Sequence, residues 1–305
     1  MKNTKALCCL FFLLTAQAST AVAEPGISEL KVPGGVAIVP LPFKGTGKPL
    51  VTYLGNRVLV QKNQDSWYAV VGLGLKTKPG VHVLTYSSEQ KESVNFSVSH
   101  KKYPTQHVNG VSNSKVNLSD ADYRRHLGEK KLINAAKKTW RELDMDSLSL
   151  ALPVKSRISG LFGRRRVFNK QPRSPHSGLD LAAPKGAPVY APASGKVVLT
   201  GDYFFLGNTV FIEHGQGLIT LYAHLNKILV EKGSLVEQGS LIAEVGATGR
   251  ASGPHLHWGV YLNQVAVDPL LFIDESTAAQ LVAGKTVEAQ TRSLSGKDYK
   301  LPSKS

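Results

Sequence analysis

The chain has 305 residues, 42% hydrophobic and 19% charged, with a net charge of +15; this is a globular rather than a disordered composition, long enough for two domains. Its two cysteines, Cys8 and Cys9, both lie in the first apolar run, so the rest of the chain holds no disulfide and any zinc ligands there must be His, Asp or Glu. The basic excess favours polyanionic contacts, such as cell-wall polymers or an anionic envelope surface, while the leader described next argues against nucleic acid.

Lys2 and Lys5 precede the apolar stretch "ALCCLFFLLTAQA", and "AVA" at Ala21–Ala23 offers small residues at the two cleavage positions. This reads as a secretory signal peptide over 1–23, with Glu24 as the mature start. The stretch is too short to span a bilayer comfortably, and no other segment reaches about 18 uninterrupted apolar residues, so no transmembrane segment is expected. A lipoprotein anchor would place its cysteine at the end of the apolar region rather than at the start.

Residues 24–103 are predicted to form a small β-sandwich-like domain. "GGVAIVPL", "RVLVQKN", "WYAVVGL", "VHVLTYS" and "VNFSVSH" are β-branched or aromatic runs about ten residues apart, separated by turn residues. No ionisable cluster stands out there, so the domain is read as a binding or positioning module. Residues 104–155 form a linker with a helix over about Ser119–Leu143. Ser119 can cap it, Asp120 and Asp122 suit the helix dipole, and Leu132, Ala136, Trp140 and Leu143 fall on one stripe. Residues 156–275 return to β texture with more glycine, as expected of an antiparallel domain. The polar tail over 276–305 is expected to be mobile from about Glu275. The fold class is therefore mainly β.

The chemistry gathers in the second β domain. In "GPHLHWGVYLN", read as a strand, His255, His257, Gly259 and Tyr261 share one face and Leu256, Trp258, Val260 and Leu262 the other. An H-x-H alone is more often a hydrogen-bonded surface pair. Here it is joined by "HSGLD", His176 to Asp180, and by His224 in "LYAHL". Zinc catalysis needs three protein ligands and an open position for a water whose pKa falls toward about 7. His and Asp side chains meet that need without cysteine, and further imidazoles can serve as acid–base groups. His214 in "EHG" matches no such role and is read as structural. "GATGRASG" lacks the Lys-Ser/Thr of a phosphate loop and is read as a turn. Tyr203 and Phe204 are candidates to line a groove, Arg164–Arg166 to meet carboxylates, and Asn169 to approach the metal site.

From about Ser159 to Phe272 the chain resembles the LytM/lysostaphin-type (M23 family) zinc metallopeptidases, which cut peptide bridges of bacterial peptidoglycan. The resemblance is carried by "HSGLDLAAPKGAPVYAPASGKV", "GNTVFIEHG", "TLYAHL" and "GATGRASGPHLHWGV". It implies that His176, Asp180 and His257 bind one Zn2+. His224 and His255 would then flank the attacked carbonyl and the water as catalytic residues. The region before it is similar, more loosely, to the N-terminal region of Gram-negative members. The resemblance thus implies an exported, periplasmic D,D-endopeptidase acting on D-Ala–meso-diaminopimelate cross-links. The alternative is a LytM-like regulator of amidases that has lost its zinc ligands, but every ligand position is filled here. Gly259 is expected to leave room for an extended peptide.

Overall fold

Runs such as Tyr68–Leu73 place apolar residues at consecutive positions, a pattern suited to strands covered on both faces. In the computed structural model, which describes residues 26–45, 47–87, 91–110 and 117–289, these runs form strands of a mainly β protein. The expected leader, with Cys8 and Cys9, and tail residues 290–305 lie outside the described residues. The first seven strands are β1 (Val36–Leu41), β2 (Leu50–Tyr53), β3 (Asn56–Arg57), β4 (Leu59–Asn63), β5 (Ser66–Gly72), β6 (Gly80–Ser87) and β7 (Lys91–Val98). They make two antiparallel sheets, ordered β1-β5-β4 and β3-β2-β6-β7. Val39, Val60 and Val71 of the first sheet meet Val51, Leu84, Tyr86 and Phe96 of the second in one buried cluster.

The opposite face of the first sheet is buried as well. Val36, Leu59 and Val70 belong to the same cluster as Leu148 and Leu152 of the connecting stretch and Trp258, Leu262 and Phe272 of the second region. Two side-chain amides at turns of that region latch onto the first sheet. Gln216 donates to Val60 O and accepts from Val60 N, both at 3.1 Å. Asn263 accepts from Gly72 N at 2.6 Å and donates to Gly72 O at 3.0 Å. Each amide supplies both partners that a neighbouring strand would have offered.

The second region contains β9 (Arg157–Gly160), β10 (Arg165–Phe168), β11 (Gln171–Pro172), β12 (Leu179–Ala182), β13 (Pro188–Tyr190), β14 (Gly195–Tyr203) and β15 (Gly207–Gly215). It continues with β16 (Leu218–Ile228), β17 (Leu235–Val236), β18 (Leu241–Val245), β19 (Leu256–Leu262) and β20 (Val265–Val267). The main sheet runs β17-β14-β15-β16-β19-β12-β9 and is antiparallel throughout. Along β19 the expected faces separate. Leu256, Trp258, Val260 and Leu262 join the core shared with the first sheet, whereas Tyr261 joins a second cluster with Phe211, Ile219, Leu221 and Ala223.

Two segments from 104–155 pack on this second region. β8 (Thr105–Val108) pairs in parallel with β10, setting Thr105 opposite Arg165. Helix α1 (Asp120–Lys137) begins as expected, with Ser119 accepting from Asp122 N at 3.1 Å. It stops at Lys137, short of the expected end at Leu143, so Trp140 and Leu143 lie beyond it, and Leu132 is exposed. The expected stripe is thereby corrected: Ile133 and Ala136 pack on the Tyr261 cluster, and Lys137 lies 4.4 Å over the Tyr261 ring. The early stop lets Arg141 turn inward onto Glu213, a fully buried carboxylate. Mobility from Glu275 is also corrected. Asp274 caps helix α2 (Glu275–Val282), whose Leu281 is buried, and Val287 bridges back to Ser156.

Candidate metal centre

Strand register assembles the site. β12, β19 and β16 lie side by side, with Asp180 opposite His257 and His257 opposite Ala223. At the next residue the register slips, so that Ala223 and His224 together oppose Thr209. Such a bulge re-aims a side chain, and His224 adopts φ +62° there. A left-handed conformation at a residue other than glycine costs roughly 1 kcal/mol or more and persists only where its surroundings enforce it. Two hydrogen bonds do so: His224 N donates to Leu206 O at 2.7 Å, and its Nδ1 to Thr248 O at 2.9 Å. His176 follows the β10–β11 hairpin. Its N–H donates to Arg164 O, and its carbonyl accepts from Gly163 N.

Three ligand-type atoms converge here. His176 Nε2 lies 2.9 Å from Asp180 Oδ1 and 3.1 Å from His257 Nδ1, and His257 Nδ1 lies 2.8 Å from Asp180 Oδ1. His176, Asp180 and His257 are the one group of this kind among the described residues. The His224 and His255 rings stand beside it, centroids 4.8 Å apart, with His224 5.9 Å from His257 and His255 Nε2 3.7 Å from Asp180 Oδ1. The five expected side chains are thus brought together.

Backbone carbonyls set the tautomers. A carbonyl only accepts, so Nδ1 carries the proton wherever it faces one. His176 Nδ1 faces Leu161 O at 2.8 Å, His224 Nδ1 faces Thr248 O, and His255 Nδ1 faces Gly253 O at 2.8 Å. In each neutral ring the lone pair then sits on Nε2. At His176 that lone pair points at a carboxylate oxygen, an arrangement favourable only with a proton or a cation between them. His, His and Asp with fixed outer hydrogen bonds form a donor set that suits zinc.

Electrostatics favour an ionised carboxylate at the centre of the imidazoles. Burial works to raise the Asp180 pKa, but hydrogen bonds from His176 and His257, and their charge, hold it far below the usual carboxylate range. Burial lowers the pKa of His257, partly opposed by Asp180. Burial, then the neighbouring His257 and His255, push His224 down to about 4.

Two glycines make the convergence sterically possible. A Cβ on Gly160, opposite Asp180, would collide with Asp180 Oδ2. A Cβ on Gly178 would stand 2.6 Å from Trp258 O and 2.7 Å from His257 Cε1. Neither was singled out from the sequence, although glycine inside strand texture does signal close approach. Gly259 has a different role from the one expected: it is buried against Tyr261 and Leu221 rather than opening onto a peptide. Tyr203 is a core residue, while Phe204 and Phe205 form the β14–β15 turn with Leu206. Asn169 shapes the β10–β11 turn at φ +47°, and its N–H donates to Val108 O. Arg165 and Arg166 lie on β10.

His214 is held between Ser194 O at 2.9 Å and Thr220 Oγ1 at 2.7 Å, which fits its structural reading. Burial lowers its pKa to about 4, against about 6.5 unfolded. Below pH 6.5 the unfolded chain takes up a proton that the folded chain refuses. Stability is therefore full above pH 6.5, falls as pH drops toward 4, and stops falling on this account below 4. Urea unfolding at pH 7 and pH 4.5 should show a drop smaller by roughly 2–3 kcal/mol in His214→Gln than in the unsubstituted protein. An identical drop in both would remove His214 as its source.

Comparison with known proteins matches residues 174–269 to Peptidase family M23 and residues 30–101 to the Peptidase family M23 N-terminal domain. A crystal structure from Pseudomonas aeruginosa described as a peptidase M23 is 41% identical, with a TM-score of 0.68, covering 80% of this chain and 95% of that one. Two peptidoglycan DD-endopeptidases of Vibrio cholerae are similar to about a third of the chain. ShyB is 49% identical over 96 residues, 32% of this chain, and ShyA is 47% identical over 119 residues, 37% of this chain. These matches span only 22% of ShyB and 28% of ShyA.

Proposed function

The chain belongs to peptidase family M23, and from that premise we propose that it is a zinc endopeptidase that hydrolyses peptide cross-links of bacterial peptidoglycan. The bond is that between D-Ala and meso-diaminopimelate, in keeping with the DD-endopeptidases that the chain resembles in part. The observation that carries the proposal is the convergence of His176 Nε2, Asp180 Oδ1 and His257 Nδ1 beside the rings of His224 and His255. The first three residues hold one zinc ion. Bound there, zinc supplies Lewis acidity and lowers the pKa of water toward about 7.

The remaining steps fall to the chain's own groups. His255, its Nδ1–H fixed on Gly253 O, accepts a proton at Nε2 from the attacking water and delivers it to the leaving amine. His224, pinned through its Nδ1–H by Thr248 O, presents the Nε2 lone pair across from His255, where it accepts a hydrogen bond from the attacking water and orients it. A leader over 1–23 directs the protein to the periplasm, and its positive charge favours contact with the anionic envelope. The chain divides into an N-terminal β domain (24–103), a linker with a helix (104–155) and the metallopeptidase domain (156–275).

Paired substitutions test the roles. His255→Ala should keep about one zinc per chain yet lose turnover of cross-linked muropeptides by roughly 10²–10⁴-fold, as for an acid–base group. His257→Ala should lose both. Zinc missing from His255→Ala but present in His257→Ala would reverse the assignment of the pair. A metal-free, inactive purified protein would instead favour a non-catalytic regulator of amidases.

A further inference from the structure

Helix α1 belongs to the stretch read from sequence as linker, yet its Glu129 reaches into the metallopeptidase sheet. The side chain is 12% exposed. Its Oε2 accepts from Phe204 N at 2.9 Å and its Oε1 from Arg125 Nε at 2.6 Å. Arg125 also donates to Asp202 Oδ2 at 3.2 Å. Phe204 opens the three-residue turn between β14 and β15, and two carbonyls of that turn serve the site. Leu206 O accepts from His224 N at 2.7 Å, and Phe205 O from Arg250 N at 3.1 Å. Just past the turn, Asn208 N donates to Thr248 Oγ1 at 2.9 Å, and Thr248 O is the acceptor for His224 Nδ1. One of the bonds that hold the left-handed His224 therefore ends on this turn, and the other on Thr248, which Asn208 just past the turn holds.

We propose that Glu129 is a positioning residue for His224. Its carboxylate fixes the 204–206 turn through Phe204 N, and the turn fixes the His224 backbone through Leu206 O. A charged acceptor suits this task because its bond to a backbone N–H is stronger than a neutral one. Loss of the bond frees the turn, and with it the φ that aims the imidazole at its neighbours. The linker helix is on this account a working part of the catalytic sheet.

The kinetic test rests on His224 acting in the proposed reaction. With the full mature chain loaded with zinc and cross-linked muropeptides as substrate, Glu129→Ala should lower kcat about tenfold, with KM and bound zinc within about twofold. Glu129→Gln, whose amide oxygen can still accept from Phe204 N, should recover most of that loss. In a His224→Ala background, Glu129→Ala should lower kcat no further, because the two residues act through one element. Equal losses in both backgrounds, or an unchanged kcat in the single variant, overturn the proposal. A second arm needs no activity. In the metal-free chain, residue-resolved amide exchange at His224 should quicken at least about fivefold in Glu129→Ala, while β19 amides keep their rates. Unchanged protection at His224 overturns the brace whether or not the unsubstituted protein cuts muropeptides; inactivity of that protein counts against the proposed function instead.

Discussion

Asp180→Ala is expected to abolish both zinc retention and peptidoglycan hydrolysis. The carboxylate sits at the centre of the cluster, within 2.9 Å of both His176 Nε2 and His257 Nδ1. It is also buried, so no water-exposed anion can replace it. Without it two imidazole nitrogens remain 3.1 Å apart, and the site offers a divalent ion two neutral ligands in place of the three protein ligands of a catalytic zinc centre. Metal analysis of the purified variant should fall from about one zinc per chain to a trace, with muropeptide cleavage lost in parallel. Full activity in Asp180→Ala would remove the residue from the ligand set.

The largest loss of stability is expected far from the metal, at Arg141. Glu213 is completely buried, and its Oε1 accepts from Gly215 N and Gly217 N while its Oε2 pairs with Arg141 Nε. A second Arg141 nitrogen donates to Glu213 O at 2.9 Å. Arg141→Met strands a buried carboxylate, which costs about 3–5 kcal/mol where one member of such a pair is removed. Chemical denaturation should show this as a lower midpoint with an unchanged slope. The double variant Arg141→Met/Glu213→Gln should recover part of the loss, because the charge that lacked a partner is gone. A fragment beginning near Asp146 omits Arg141, β8 and α1 together, so its behaviour would reflect a damaged sheet as well as a missing module. Wild-type stability in Arg141→Met would show that the two backbone N–H groups suffice for Glu213.

The site was legible because its parts are local. "HSGLD" and "HLH" put four ligand-type side chains in two short stretches, period-two alternation set His255 and His257 on one face of a strand, and the family resemblance singled out His176, Asp180 and His257 among them. The antiparallel β texture followed from β-branched runs and glycine turns in the same way. Long-range partnerships were not legible. The carbonyls of Leu161, Thr248 and Gly253 that set the imidazole protons carry no side-chain signature. Glu129 and Arg141 look, in sequence, like surface charges of a solvated linker. β8 is four residues long and pairs with a strand some sixty positions away. Gly259 misled because a glycine beside a histidine pair suggests space, whereas the register fills that space with Tyr261 and Leu221.

The two amide latches have a consequence for how the molecule comes apart. Gln216 grips β4 at Val60 and Asn263 grips β5 at Gly72, while Val36, Leu59 and Val70 lie in one apolar cluster with Leu262 and Phe272. Further bonds tie the halves elsewhere, with Asp268 N donating to Gly34 O at 2.8 Å, Ser28 N to Leu271 O at 2.9 Å and Gln264 Nε2 to Asn56 Oδ1 at 2.8 Å, so the contact is held at several points. Parting the halves would wet Val36, Leu59 and Val70 on one side and Leu262 and Phe272 on the other, so each half loses apolar burial when the other leaves. The pair is then a single cooperative unit, and heat should dissolve it in one step rather than shed one half while the other endures.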